Sequence, residues 1–178
     1  MFKKTVLMVF CSVLFFAGNA HFMSRIWPQK GMAANEVGSP DAAKKVLIAG
    51  RGSAFRDTVV SRLVARLHDD SVYVRIIDLK DVATQDPQAW NAVLLVNMCV
   101  AWDYDSKVKQ YIRGHADCNN VVLFTTSGDP AGCFPKNKKG RNPEIDGYSS
   151  ASSMDECVHA VDTLYDLLNA VLIGRKGQ

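Results

Sequence analysis

The sequence predicts an α/β fold, a doubly wound three-layer sandwich built on a parallel sheet. From Lys44 to Leu172, short apolar runs alternate with stretches of helical period. Alternation of this kind implies parallel strands joined by right-handed crossovers, with helices on both faces of one sheet. In addition, 178 residues with 48% hydrophobic and 22% charged residues suffice for one domain with a real core, though not for two. The formal charge of +3 includes Lys3 and Lys4. The remainder is close to neutral and offers no field for nucleic acid, so that partner class is excluded.

The N-terminus differs from the rest of the chain. "MFKK" is a basic leader, "TVLMVFCSVLFFA" an apolar run, and "GNA" places small residues at Gly18 and Ala20, the order of a secretory signal with cleavage after Ala20. An uncleaved membrane anchor over Thr5 to Met23 is the alternative. Either way residues 1–20 are a signal peptide or membrane anchor. The lysines, held in the cytoplasm, put the rest outside the inner membrane, periplasmic or anchored to its outer face. Cys11 follows Phe10, not the small residue a lipoprotein signal needs. Residues 21–43 mix Gly, Pro, Ser and Ala without periodicity and read as a flexible linker, so the folded domain is expected over 44–178.

Within it, "KVLIAG" (Lys45 to Gly50) is a short apolar run ending at glycine, a buried strand. "SAFRDTVVSRLVARLHD" carries Phe55, Val59, Leu63 and Leu67 at four-residue spacing with Arg and Asp opposite, an amphipathic helix capped by Ser53. "SVYVRIIDL" (Ser71 to Leu79) alternates and suits a sheet edge. "KDVATQDPQAW" leaves room for one helical turn. "NAVLLVNMC" (Asn91 to Cys99) is the most apolar run of the domain and reads as a central strand. "DYDSKVKQYIRGH" predicts a helix with Val108, Tyr111 and Ile112 inward, and "NNVVLFTTSG" (Asn119 to Gly128) a fourth strand. "DPAGCFPKNKKGRNP" is too long for a plain connector and reads as a functional loop. "EIDGYSS" has room for a short fifth strand. The final helix, from about Ser153 to Leu172, bears the stripe Cys157, Val161, Leu164, Leu168 and Leu172. Ser152 or Ser153 is expected to cap it, with Asp155 and Glu156 meeting the dipole.

Three stretches together resemble the flavodoxin-like family. "KVLIAG…SAF…VVSRLVARL" looks like its first strand, loop and helix. "AVLLVNMCVAWDYDSKVKQYI" looks like its third strand, aromatic loop and next helix, and "VVLFTTSGDPAG" like its fourth strand and glycine turn. The resemblance spans Lys45 to Leu172 and implies sheet order 2-1-3-4-5, with ligands at the C-terminal edge of the strands. It also implies FMN as the candidate cofactor and electron transfer as the candidate activity.

Flavodoxins hold the FMN phosphate on a Thr-Gly-x-Thr loop after the first strand, at a helix N-terminus. Here that loop is "GRGSAFRDT". Arg51, Gly52, Ser53 and Thr58 are its candidate phosphate residues, while Phe55 and Asp57 stand where small hydroxyl-bearing residues belong. A negative charge at Asp57 opposes a phosphate. The competing reading is a tight turn with a serine cap and two solvated arginines. The family stacks its flavin ring between aromatic side chains, and Trp102 and Tyr104 lie in the loop after the third strand, with Phe134 in the loop after the fourth. Stacking is worth about 0.5 to 1.5 kcal/mol beyond the buried area. Trp102 equally suits roofing the end of the core, and Tyr104 packing at a helix start. Gly128 ends the fourth strand, and Lys136, Lys138, Lys139 and Arg141 make the following loop basic. Ser152 aligns loosely with a covalent flavin-attachment serine; helix capping is the stronger reading.

Four cysteines lie beyond the N-terminal segment. In this topology Cys99, Cys133 and Cys157 share the C-terminal edge of the sheet. Cys118 lies at the opposite edge, a strand length of about 17–20 Å away, beyond the roughly 7 Å that a disulfide spans. Cys99–Cys133 is the preferred bridge, with Cys133–Cys157 behind it. His68, His115 and His159 are scattered, and no metal or hydrolase motif occurs. Two functions emerge: an exported FMN-binding electron-transfer domain with a redox partner, or a cofactor-free flavodoxin-like binding module for an envelope protein or small anionic ligand. A nicotinamide dehydrogenase is a distant third, because no Gly-x-Gly-x-x-Gly follows a strand.

Overall fold

A computed structural model describes residues 30–99, 104–128 and 145–174. Six strands form one sheet: β1 (Asn35–Val37), β2 (Lys45–Gly50), β3 (Tyr73–Asp78), β4 (Ala92–Met98), β5 (Val121–Ser127) and β6 (Asp146–Ala151). Their spatial order is β1-β3-β2-β4-β5-β6. The five strands from β2 onward are mutually parallel and run in the expected order 2-1-3-4-5.

The sheet as a whole differs from the expected parallel one, because β1 adds antiparallel to β3, with Glu36 opposite Arg75 and their side chains 3.4 Å apart. Strand β1 lies inside the stretch read as a linker. It is three residues long and has no hydrophobic alternation to announce it. Its presence also makes β3 an interior strand, which explains why Tyr73 and Val74 are buried.

Helices α1 (Ala54–Asp69) and α3 (Cys157–Leu172) cover one face of the sheet, and α2 (Ser106–Gly114) the other. The pleat assigns the two cores. Val46, Ile48, Leu94, Val96 and Phe124 point to α1 and α3, while Leu47, Ala49, Val93, Leu95 and Leu123 point to α2. Strands β2 and β4 are therefore apolar on both faces, which is what their unbroken hydrophobic runs require.

The β3–β4 crossover exceeds the single turn expected. It is made of two 3-10 helices, Leu79–Thr84 and Pro87–Ala89, and Leu79 and Val82 of the first bury on the α2 face. Ser53 caps α1 as expected: its Oγ accepts from the Arg56 N–H at 3.2 Å. The final helix departs from expectation. A 3-10 turn, Met154–Glu156, precedes α3, and neither Ser153 before that turn nor Glu156 before α3 makes a side-chain cap hydrogen bond; Ser152 instead gives its backbone N–H to the Ser127 carbonyl at 3.1 Å.

Leu94 is wholly buried at the centre of the sheet. Leu94→Ala is expected to cost about 2–5 kcal/mol of stability, read as a lowered denaturation midpoint in urea with an unchanged slope.

Candidate functional site

The loop following β2, the C-terminal ends of β4 and β5 and the N-cap of α2 meet at the C-terminal rim, and hydrogen bonds join them. Arg51, directly after β2, gives its Nε–H to Asp105 Oδ2 at 2.8 Å, an ion pair that is only partly exposed. Asp105 is the N-cap of α2: its Oδ1 accepts from the Lys107 N–H at 2.8 Å. The Asp105 N–H in turn donates to Oδ1 of Asn97, near the end of β4, at 3.1 Å.

The second half of the network runs through Arg56. Its Nε donates to the Arg51 carbonyl at 2.7 Å, Nη2 to the Gly52 carbonyl at 2.9 Å, and Nη1 to Thr126 Oγ1 on β5 at 3.1 Å. Thr126 Oγ1 donates onward to the Asn97 carbonyl at 3.4 Å. Helical periodicity put Arg56 on the polar face of α1. In the structure it is only 3% exposed, because its long stem reaches over the sheet edge to oxygens that the turn leaves unpaired. Burial pulls its pKa down, opposed by Asp57 and aided by Arg51. Among the described residues it has no carboxylate partner within ion-pair distance. A cation is thus held at the rim by neutral oxygens alone.

The candidate phosphate residues do not form an open cradle. Residues 30–32 lie across the loop: Gly31 bridges Arg51 in antiparallel fashion, Met32 N–H donates to the Gly50 carbonyl at 3.4 Å, and Gly52 N–H donates to the Lys30 carbonyl at 2.7 Å. One backbone donor of the loop is therefore committed. A Cβ built on Gly52 would stand 3.0 Å from Asp57 Oδ1, so a carboxylate flanks the same spot. Ser53 is occupied as a cap. Thr58 Oγ1 donates to the Ala54 carbonyl at 2.7 Å, an ordinary intrahelical back-bond. As folded, these residues do not fit a flavin phosphate.

Tyr104 is partly buried and packs on the core beneath α2, just before that helix begins. Gly128 is exposed, with open space where a Cβ would be. Trp102, Cys133, Phe134 and the basic residues Lys136, Lys138, Lys139 and Arg141 lie outside the described residues. Cys118 and Cys157 are free thiols, which removes Cys133–Cys157. Cys99 sits at the end of β4, its N–H donating to the Thr126 carbonyl at 2.8 Å.

Sequence reasoning missed Asn97, Thr125 and Arg56. Asn97 and Thr125 are register neighbours on adjacent strands. Among the described residues, Asn97 Nδ2 and Thr125 Oγ1 are both buried without a hydrogen-bond partner. Polar residues closing two apolar strands were the available signal, since a buried amide with an idle donor is uncommon. Tyr111 also has a partnerless hydroxyl, but its neighbours Cys118 and Asp86 belong to the opposite edge of the sheet. Burial, reinforced by those two groups, pushes its pKa up to about 12.

No protein-family model matches the chain, and no curated protein matches it. Solved structures do. The metal-soaked Flv1 flavodiiron core from Synechocystis sp. PCC6803 aligns with a TM-score of 0.51 at 9% identity over 74% of this chain, which spans only 36% of that protein. A putative quinone reductase from Klebsiella pneumoniae aligns with a TM-score of 0.50 at 10% identity, covering 75% of this chain and 87% of that one. A flavodoxin from the domain Archaea gives 0.49 at 10% identity over 71% of this chain and 98% of its own. With the strand order above, the fold is flavodoxin-like.

The network and its surroundings generate two expectations. Asp105→Ala removes both a helix cap and an ion-pair partner and should cost about 1–3 kcal/mol, whereas Asp105→Asn, which can still cap, should cost less; urea titration of both variants separates the two roles. For Tyr111, a folded pKa raised above the ordinary value near 10 contributes stability that is complete below pH 10 and is lost as pH rises through about 12. Tyr111→Phe should flatten that alkaline loss and, by deleting an orphan buried hydroxyl, stabilise the protein at pH 7 by about 1 kcal/mol.

Proposed function

We propose that this chain is a flavodoxin-like binding module of the cell envelope, whose rim takes a protein surface or a small anionic ligand and does not hold FMN as a resident cofactor. One observation carries this reading: the Gly52 N–H, one backbone donor of the loop after β2, is bonded to the chain's own Lys30 carbonyl at 2.7 Å. The flanking Asp57 carboxylate adds electrostatic opposition. The envelope location rests on the sequence of residues 1–20, with basic leader, apolar run and small residues in that order. In that oxidising setting Cys99–Cys133 is the proposed bridge, supported by the free state of Cys118 and Cys157.

A second reading is electron transfer by bound FMN, with Trp102 or Tyr104 against the ring and a redox protein as partner. It is favoured by the idle donor and hydroxyl of Asn97 and Thr125 at the rim, and by a fold shared with a flavodiiron core and a putative quinone reductase.

Protein produced with its N-terminal segment and purified without added cofactor separates the two. The binding-module reading expects no absorbance in the flavin bands and no quenching of FMN fluorescence on titration. Stoichiometric flavin in the purified protein would establish the second reading in its place.

A further inference from the structure

We infer that Lys30, Gly31 and Met32 form a displaceable strap over the rim, and that the strap and an anionic ligand compete for the loop after β2. The inference rests on the binding-module reading and extends it to how the site is opened.

The strap occupies a shaped seat. Gly31 lies against the Asp78 side chain so closely that a Cβ on it would stand 1.7 Å from Asp78 Oδ2, so any side chain there must push aside the carboxylate whose Oδ1 caps the following turn at the Lys80 N–H, 2.9 Å. Met32 is 7% exposed and enters the core on the α1 and α3 face. The backbone bonds are few: the Gly31–Arg51 bridge, one bond of 3.4 Å from Met32 N–H, and one of 2.7 Å from Gly52 N–H. A few residues further on, the chain is secured independently, since β1 pairs with β3 over Asn35–Val37. Residues 30–32 can therefore leave while β1 stays, a local opening that does not require the sheet to unfold.

The loop beneath has the character of an anion site held shut. The Lys30 carbonyl oxygen stands where a phosphate or carboxylate oxygen would accept from the Gly52 N–H. Beside it lies Arg56, a buried cation whose hydrogen bonds, among the described residues, all go to neutral oxygens. Arg51 is paired with Asp105, and Asp57 opposes an incoming anion. If strap and anion share one donor, binding is linked in both directions. The anion's apparent affinity is lowered by the fraction of molecules with the strap seated, and a partner that draws the N-terminal segment away raises it by the same factor.

The test uses the full chain and inorganic phosphate as the probe. In the unaltered protein, saturating phosphate should speed amide hydrogen exchange at Met32 while Leu47 and Leu94 stay protected. Gly31→Ala should unseat the strap, speed exchange at Gly52 at least tenfold without phosphate, and tighten phosphate binding at least tenfold. In the double variant Gly31→Ala with Asp78→Ser, which removes the carboxylate that the new methyl strikes, both properties should return toward the starting values. An unchanged Met32 amide at saturating phosphate overturns the proposal, as does faster exchange at Gly52 in Gly31→Ala without tighter phosphate binding. The binding-module reading fails separately, on the flavin content of the purified protein.

Discussion

Burial of the Arg56 guanidinium is the constraint around which the rim is organised. Taking a cation out of water is costly unless its donors are all satisfied, and here three go to the Arg51 carbonyl, the Gly52 carbonyl and Thr126 Oγ1. Those acceptors belong to the turn after β2 and to the end of β5. One side chain thus joins segments 70 residues apart, and through Thr126 and Asn97 it also reaches the N-cap of α2. The loop after β2, the ends of β4 and β5 and the N-cap of α2 form a connected unit for this reason, beyond the convergence that a wound sheet gives its C-terminal edge.

Much of this was readable from residues. The doubly apolar character of β2 and β4 marked them as central, because a strand covered on both faces cannot alternate. The four-residue repeat of Phe55, Val59, Leu63 and Leu67 placed α1 and its inward face, and Ser53 before that repeat marked the cap. The order of the five parallel strands then came from the family resemblance. The features that were not readable have equally physical causes. Strand β1 owes its existence to the unpaired edge of β3, not to any pattern in Asn35–Val37. The last helix opens on a 3-10 turn, before which Ser153 makes no side-chain cap bond while Ser152 is engaged through its backbone with Ser127. Arg56 sits on a face that periodicity calls polar, and only the three-dimensional supply of carbonyl oxygens at the sheet edge explains its burial.

The candidate site shows the same division. Arg51, Gly52 and Ser53 lie in the turn after β2, where their position in the sequence puts them, but no local signal told that residues 30–32 would lie over that turn. A glycine in a stretch of mixed composition looks like a linker. Against Asp78 it allows a close backbone approach that a Cβ would meet by displacing the carboxylate. The flavodoxin-like fold therefore coexists with a loop in which the Gly52 N–H is engaged by the chain itself, and function depends on such donors more than on the architecture.

The account stands on the contact between the N-terminal segment and the loop after β2. Nuclear Overhauser measurements on the full-length protein in solution, without ligand, probe it directly. An antiparallel bridge between Gly31 and Arg51 predicts a strong cross-peak between their α-protons, accompanied by a protected Gly52 amide. Absence of that cross-peak, together with a freely exchanging Gly52 amide in an otherwise protected sheet, would mean that the loop is open and that the chain does not occupy its own rim.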